Sequence, residues 1–216
     1  MPVKTLLRGL VLALATASPL FLAAARAEAD EIIVAGGCFW CVEADFEKVK
    51  GVREAVSGYT GGTKANPTYK QVTAGGTGHY EAVRIVYNAA QIDARRLYDL
   101  FFRSVDPTDA GGQFCDRGAS YRTAIFVQDA AQKRAAEAAR AAAEKDLGRK
   151  IVTPILSAGA FYDAEDYHQD YYKGTKRVLT RFGPIRQADA YKRYREACGR
   201  DARVKQLWGS KAAFVN

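Results

Sequence analysis

The stretch EIIVAGGCFWCVEADFEKV, residues 31–49, decides the architecture. A short β-branched run over 31–35 ends at Gly36-Gly37, and beyond it Cys38, Val42, Phe46 and Val49 recur at helical spacing. The pattern predicts strand, tight turn, helix. Working outward, residues 52–59 alternate and end at Gly61-Gly62, a loop passes through Asn66-Pro67, and residues 79–87 alternate again. These read as two strands. Leu97, Leu100, Phe101 and Val105 mark an amphipathic helix opening near Asp93, and 121–127 is a further strand. The order βαββαβ is that of a ferredoxin-like α+β fold, a two-layer α/β sandwich with helices packed on one face of the sheet.

Past this core, Asp129 with Gln132 resembles a capping box, opening an alanine-rich helix that runs to Leu147 and stops at Gly148. Residues 151–156 read as a short strand, 162–172 turn polar and aromatic, and 191–208 are expected to hold one or two helices against the body. No repeat or low-complexity linker interrupts the chain, so residues 28–216 are expected to form a single domain with a C-terminal tail.

The 216 residues are 48% apolar and 26% charged, the composition of a globular chain rather than a disordered one. The net charge of +8 would suit a nucleic-acid binder if it were clustered. The basic residues concentrate only after Lys173, where acids interleave with them, so a solvated helical surface is expected and no nucleic-acid partner. Residues 1–27 carry Lys4 and Arg8, an apolar stretch broken by Pro19, and the small-x-small triplet Ala25-Arg26-Ala27. This reads as a secretory signal peptide. Cleavage after Ala27 would remove three cations and no acid, leaving +5. No later apolar run could span a bilayer and no cysteine lies near the cut. The mature chain is therefore expected to be a soluble monomer without stable membrane association, periplasmic or secreted, where its four cysteines meet an oxidising environment.

Cys38 follows two glycines at the first turn of a predicted helix, where free backbone N–H groups favour a thiolate. Phe39 and Trp40 beside it offer an apolar wall, either for a small apolar substrate group or as plain core. Cys38 and Cys41 share the C-x-x-C spacing of redox dithiols and zinc sites. Zinc lacks a second ligand pair, because Cys115 and Cys198 stand singly and only His79 and His168 remain; no metal is expected. A thioredoxin-like oxidoreductase, with Thr153-Pro154 opposite the sulfurs, is a rival reading that requires a βαβ arrangement. A noncatalytic module recognising apolar groups through Phe39 and Trp40 is another. Alternation places Glu81 on one face with Val83, Ile85 and Tyr87, where burial would keep it protonated as an acid; a strand-end glutamate reaching solvent fits the periodicity equally. The turn Cys115-Asp116-Arg117-Gly118 precedes the strand at Tyr121 and could present Asp116 and Tyr121 to the same site. His168, among Glu165, Asp166 and Asp170, is either a base for Cys38 or a surface residue.

Six separated motifs then align in order: Gly37-Cys38-Phe39-Trp40, Gly58-Tyr59-Thr60-Gly61-Gly62, Asn66-Pro67-Thr68-Tyr69, Gly78-His79-Tyr80-Glu81-Ala82-Val83, Tyr121-Arg122 and Tyr167-His168-Gln169. From about residue 32 to 172 the chain resembles the peptide methionine sulfoxide reductase A family. That resemblance implies reduction of methionine-S-sulfoxide, free or in oxidised proteins. It implies Cys38 as the nucleophile that becomes a sulfenic acid, and Glu81 as proton donor to the sulfoxide oxygen. By the same resemblance Phe39 and Trp40 hold the substrate methyl, while Tyr69, Asp116 and Tyr121 bind the oxygen or orient Glu81. No metal or organic cofactor is implied; an intramolecular disulfide is reduced by an external dithiol such as thioredoxin. The best-known members carry a resolving cysteine in a Gly-rich C-terminal coil, whereas this tail is longer and charged, with Cys198 as its only cysteine. Cys198 on a mobile tail is the first choice for that role, with Cys41 and then Cys115 as rivals. A thiol-disulfide oxidoreductase built on Cys38 and Cys41 is the alternative function.

Overall fold

The computed structural model describes Met1 and residues 30–215; apart from Met1, the segment read as a signal peptide lies outside the described residues. In chain order the elements are β1 (Asp30–Gly36), α1 (Phe39–Phe46), β2 (Val52–Thr60), α2 (Tyr69–Thr73), β3 (Tyr80–Tyr87) and α3 (Ala94–Phe102). Then come β4 (Gly112–Gln113), β5 (Asp116–Arg117), β6 (Thr123–Val127), α4 (Ala130–Leu147), β7 (Ile155–Ser157) and β8 (Tyr162–Asp163). The chain closes with β9 (Arg177–Thr180), β10 (Gly183–Arg186), α5 (Gln187–Ala197) and α6 (Arg200–Trp208).

The main sheet runs β7-β6-β1-β3-β2-β8. Its centre, β6-β1-β3-β2, is antiparallel throughout, the order that a βαββαβ chain adopts when both helices pack on one face. The expected α+β, ferredoxin-like sandwich is thus what forms. Both neighbours of β1 are antiparallel, so the parallel βαβ unit required by the thioredoxin-like reading is absent at Cys38.

Period-two alternation divides the sheet's side chains between two layers. Ile32, Val34, Val83, Ile85 and Ile125 meet Phe39, Val42 and Phe46 of α1 and Leu97, Tyr98, Phe101 and Phe102 of α3, all inside the principal core. Ala136, Ala139 and Ala143 of α4 join the same core, their small side chains allowing that helix to lie close. Ile33, Ala35, Tyr80, Ala82, Ala124 and Phe126 face the other way, covered by Leu156, Ala158 and Phe161. The helix termini follow their sequence signals. Asp93 and Asp129 accept the N–H groups of Arg96 and Gln132, and Gly148 ends α4 in the left-handed region at φ 62°.

Two expectations are corrected. The strand placed at 151–156 is narrower, because only 155–157 pair with β6; before it, Ile151 N–H is taken by the Glu144 side chain and Thr153 hydrogen-bonds Thr123. The helices expected over 191–208 form, but the mobility assumed for a tail carrying Cys198 does not follow. Helices α5 and α6 pack against the body, with Val204 and Trp208 inside the principal core and the Trp208 indole N–H donating to Val105 O at 3.1 Å. Among the described residues, no helix is long and apolar enough to cross a membrane.

Candidate active site

The turn between β1 and α1 is held by close packing. Gly37 has φ 82°, and a Cβ there would lie 2.6 Å from Gln113 Cβ, so only glycine fits. Cys38 comes next as the N-cap of α1, 6% exposed. The first helical N–H, that of Phe39, donates to Glu81 Oε2 at 3.1 Å. Glu81 is 1% exposed, on the helix-facing side of β3 as the alternation implied. Burial is the main cause that pushes its carboxyl up to about 8, opposed by the Phe39 N–H and reinforced by Asp116. It is therefore a neutral acid at pH 7.

The expected thiolate does not follow at Cys38. A hydrogen bond with Cys41, burial, and the nearby charges of Cys41, Glu81 and Asp116 hold its thiol well above the ordinary value. The Cys41 contact and burial outweigh the dipole of an eight-residue helix. Cys41 shifts the opposite way through its hydrogen bond with Cys38, aided by Arg200 and Arg195.

The polar groups named in the sequence converge here. Tyr121 lies near enough to both Glu81 and Tyr69 for the three groups to shift one another, and burial together with Glu81 raises the Tyr121 phenol above its usual range. Tyr69 is fixed by its backbone N–H, which donates to Glu165 Oε1 at 2.9 Å, while Tyr59 donates to the other oxygen of the same carboxylate. Asp116 accepts from the Tyr194 hydroxyl, and burial raises its pKa. Phe39 is fully buried in the core, whereas Trp40 is half-buried with its ring stacked on Tyr171 at 3.8 Å. Cys38, Glu81, Phe39, Trp40, Tyr69, Asp116 and Tyr121 thus belong to one neighbourhood. A thiol, a protonated carboxyl and two phenols around an aromatic wall can attack a soft electrophile while protonating the oxygen it carries.

His168 is neither of the things its acidic neighbours implied. It is 2% exposed, and Nδ1 accepts the Trp40 indole N–H at 3.1 Å, so the ring proton sits on Nε2, 4.0 Å from Glu165. Burial lowers its pKa to about 4. It orients Trp40 as a neutral ring. Gln169 next to it bonds both backbone groups of Ser57, and buried Glu43 accepts from Ser57 Oγ and Asp170 N–H, which pins the 168–170 segment beneath α1.

Cys198 departs from its expected place. It forms a disulfide with Cys115 across 83 residues, while Cys38 and Cys41 are free thiols. Beyond it, buried Arg200 donates to Gly36 O at 3.2 Å and Ser104 O at 3.0 Å, tying α6 to the Cys38 turn. Arg195 binds Asp45 of α1 at 2.9 Å. The tail therefore braces the site. Cys115, Asp116 and Cys198 come within 4.8 Å of one another, but both sulfurs are committed to each other rather than to a metal. Cys198→Ser should lower unfolding stability by about 4 kcal/mol on loop-closure grounds. Denaturant melts with and without reductant check this: unchanged stability would mean that the cross-link constrains nothing.

Sequence reasoning missed Tyr194, Glu43 and the hairpin β9–β10. Tyr194 lies in a stretch readable only as helix, and nothing local marks its contact with Asp116, 78 residues away. Glu43 could have been found, since it falls one residue after Val42 on a helix whose faces are nearly all buried.

A family profile described as peptide methionine sulfoxide reductase matches residues 30–210. The chain is 47% identical to peptide methionine sulfoxide reductase MsrA 2 of Rhizobium meliloti (strain 1021), over 89% of this chain and 90% of that one. To the protein of the same name from Caulobacter vibrioides (strain ATCC 19089 / CIP 103742 / CB 15) it is 50% identical, over 87% and 89%. Among solved structures it is similar to Mxr1 from Saccharomyces cerevisiae in reduced form, with TM-score 0.64 and 31% identity over 73% of this chain and 92% of that one. It is also similar to methionine sulfoxide reductase A of Corynebacterium diphtheriae, with TM-score 0.63 and 32% identity over 69% and 76%.

Proposed function

The chain belongs to the peptide methionine sulfoxide reductase family and reduces methionine sulfoxide; from that premise we propose that it acts on the S epimer, with Cys38 as nucleophile and Glu81 as acid. The observation that carries this assignment is the Phe39 N–H bond to Glu81, which sets a protonated carboxyl at the start of the helix that Cys38 caps. Phe39 and Trp40 receive the sulfoxide's methyl group. Glu81 delivers its proton to the sulfoxide oxygen, with Tyr69 and Tyr121 donating hydrogen bonds to it. The Cys38 sulfur attacks the substrate sulfur and forms a transient sulfur–sulfur bond; the protonated oxygen then passes as hydroxyl to the Cys38 sulfur, the substrate's sulfur–oxygen bond and the sulfur–sulfur bond both breaking, which leaves a Cys38 sulfenic acid. Methionine departs reduced by two electrons, and the thiol's proton returns to Glu81. Asp116, bonded to Tyr194, steadies the oxygen-binding side of the site.

The sulfenic acid is then resolved by Cys41. Its thiol is hydrogen-bonded to Cys38 and biased toward ionisation, so it attacks the Cys38 sulfur and water leaves as the disulfide forms. Cys198, held by Cys115, is not free to do this. An external dithiol of the thioredoxin type restores both thiols and is itself oxidised to a disulfide. Cys41→Ala should still release about one methionine per chain in a single turnover, while steady-state turnover with a protein dithiol donor falls at least about tenfold. Steady-state turnover equal to that of the parent would assign resolution to another cysteine.

The protein acts as an exported monomer, periplasmic or secreted, repairing oxidised methionine in proteins that share its compartment. Support comes from residues 1–27, with their basic start, apolar stretch and Ala25-Arg26-Ala27, and from a disulfide at a solvent-exposed cysteine, Cys115.

A further inference from the structure

A cavity of about 310 Å³ opens beside the site, lined by Trp40, Tyr171, Tyr194 and Ala190 and closed by Arg181 and Phe182. The last two form the tip of the β9–β10 hairpin. That tip is ordered by its own bonds: Phe182 N–H donates to Thr180 Oγ1, whose hydroxyl donates to Gly183 O, both at 3.0 Å. The Phe182 ring carries a cation on each of two contacts, Arg181 at 4.9 Å and Arg193 at 5.8 Å. Tyr194 of the cavity wall donates to Asp116, which joins the hairpin side of the cavity to the catalytic pocket.

We propose that this cavity is a subsite for an apolar side chain flanking methionine sulfoxide in a polypeptide substrate, with Phe182 as its outer wall and Arg181 disfavouring cationic flanks. The inference rests on the proposed function, since Trp40 is the wall shared by both pockets. Continuity decides the occupant. A chain whose sulfoxide methyl meets Trp40 presents its next side chains within a residue or two of the same indole, where Tyr171 and Tyr194 extend the apolar surface. The volume far exceeds what one methyl fills and sits at the lower end of small-ligand sites. The aromatic wall selects for apolar groups, and the guanidinium groups around Phe182 oppose a lysine or arginine. Free methionine sulfoxide has no side chain to place there, so the subsite separates protein repair from reduction of the free amino acid.

The test compares kcat/KM for N- and C-blocked peptides identical except for the residues flanking methionine-S-sulfoxide: Leu, Gly or Lys on each side in turn. The parent should prefer Leu over Gly by about tenfold at one side, the range an extra apolar group yields in a hydrophobic pocket, and Lys should rank last. Phe182→Ala should bring the Leu-to-Gly ratio close to one, Phe182→Leu should restore most of it, and Arg181→Gln should raise Lys relative to Gly. A parent with no flank preference, or a Leu-to-Gly ratio unchanged in Phe182→Ala, would overturn the subsite. Failure of the parent to reduce any of the peptides would instead remove the catalytic assignment on which the subsite rests.

Discussion

Cys38→Ser is expected to abolish sulfoxide reduction, with a loss of at least about 10⁴-fold in kcat/KM measured as methionine released under excess dithiol. Serine keeps the volume and the N-cap position, so the fold should be untouched, which circular dichroism checks. The loss follows from chemistry. A hydroxyl is a far weaker nucleophile toward a soft sulfur centre and cannot store the oxygen as a sulfenic acid that a thiol then resolves. The cysteine is 6% exposed and lies beside the two groups that the step requires, Glu81 and the Tyr69–Tyr121 pair. No other free thiol among the described residues caps a helix next to an acid; Cys41 lies behind Cys38, toward Arg195 and Arg200. Residual activity above about one per cent would move the nucleophile elsewhere.

Glu81→Gln should lower kcat/KM by about 10²- to 10³-fold, the usual range for loss of a positioned general acid. The amide oxygen can still accept the Phe39 N–H, so the loss would report the missing proton rather than a displaced helix. The pH dependence separates the two. Burial pushes the Glu81 carboxyl up to about 8, so the parent should hold its rate through neutrality and lose it as pH rises through that value. The sign follows from the active form being the protonated one: a raised carboxyl pKa extends activity upward in pH. In Glu81→Gln the falling limb near 8 should vanish, because the group that titrates is gone. A limb that persisted in the variant would belong to another group, and the role of Glu81 would be lost with it.

Much of this was legible in the chain itself. Period-two alternation placed Glu81 on the face of Val83 and Ile85, and packing against α1 is what makes it both buried and adjacent to Cys38. The strand–Gly–Gly–helix reading of residues 31–49 sets Cys38 at a helix start, and the βαββαβ order yields the antiparallel centre of the sheet. What escaped depends on contacts between distant segments. The Trp40–His168 bond spans 128 residues, and the Asp116–Tyr194 bond 78. No local period records either, because the partners lie on elements far apart in the chain. The thiolate expectation fails because the helix start by itself reports neither the depth of burial nor the Cys41 sulfur one turn on, the two largest causes that hold the Cys38 thiol up. The helices of the tail are readable over 191–208, but a wholly solvated charged surface is not what forms, because Arg195 and Arg200 turn inward to Asp45, Gly36 and Ser104. Such buried guanidinium groups are rare enough that composition argues against them.

The most direct single measurement is turnover of the separated S and R epimers of an N-blocked methionine sulfoxide by the chain lacking residues 1–27, with excess dithiol. The expected result is methionine from the S epimer alone, at a rate at least about 100-fold above that from the R epimer, since each reductase of this chemistry restores one epimer. Turnover of the R epimer at a comparable rate, or of neither while a disulfide substrate is reduced, would contradict the assignment.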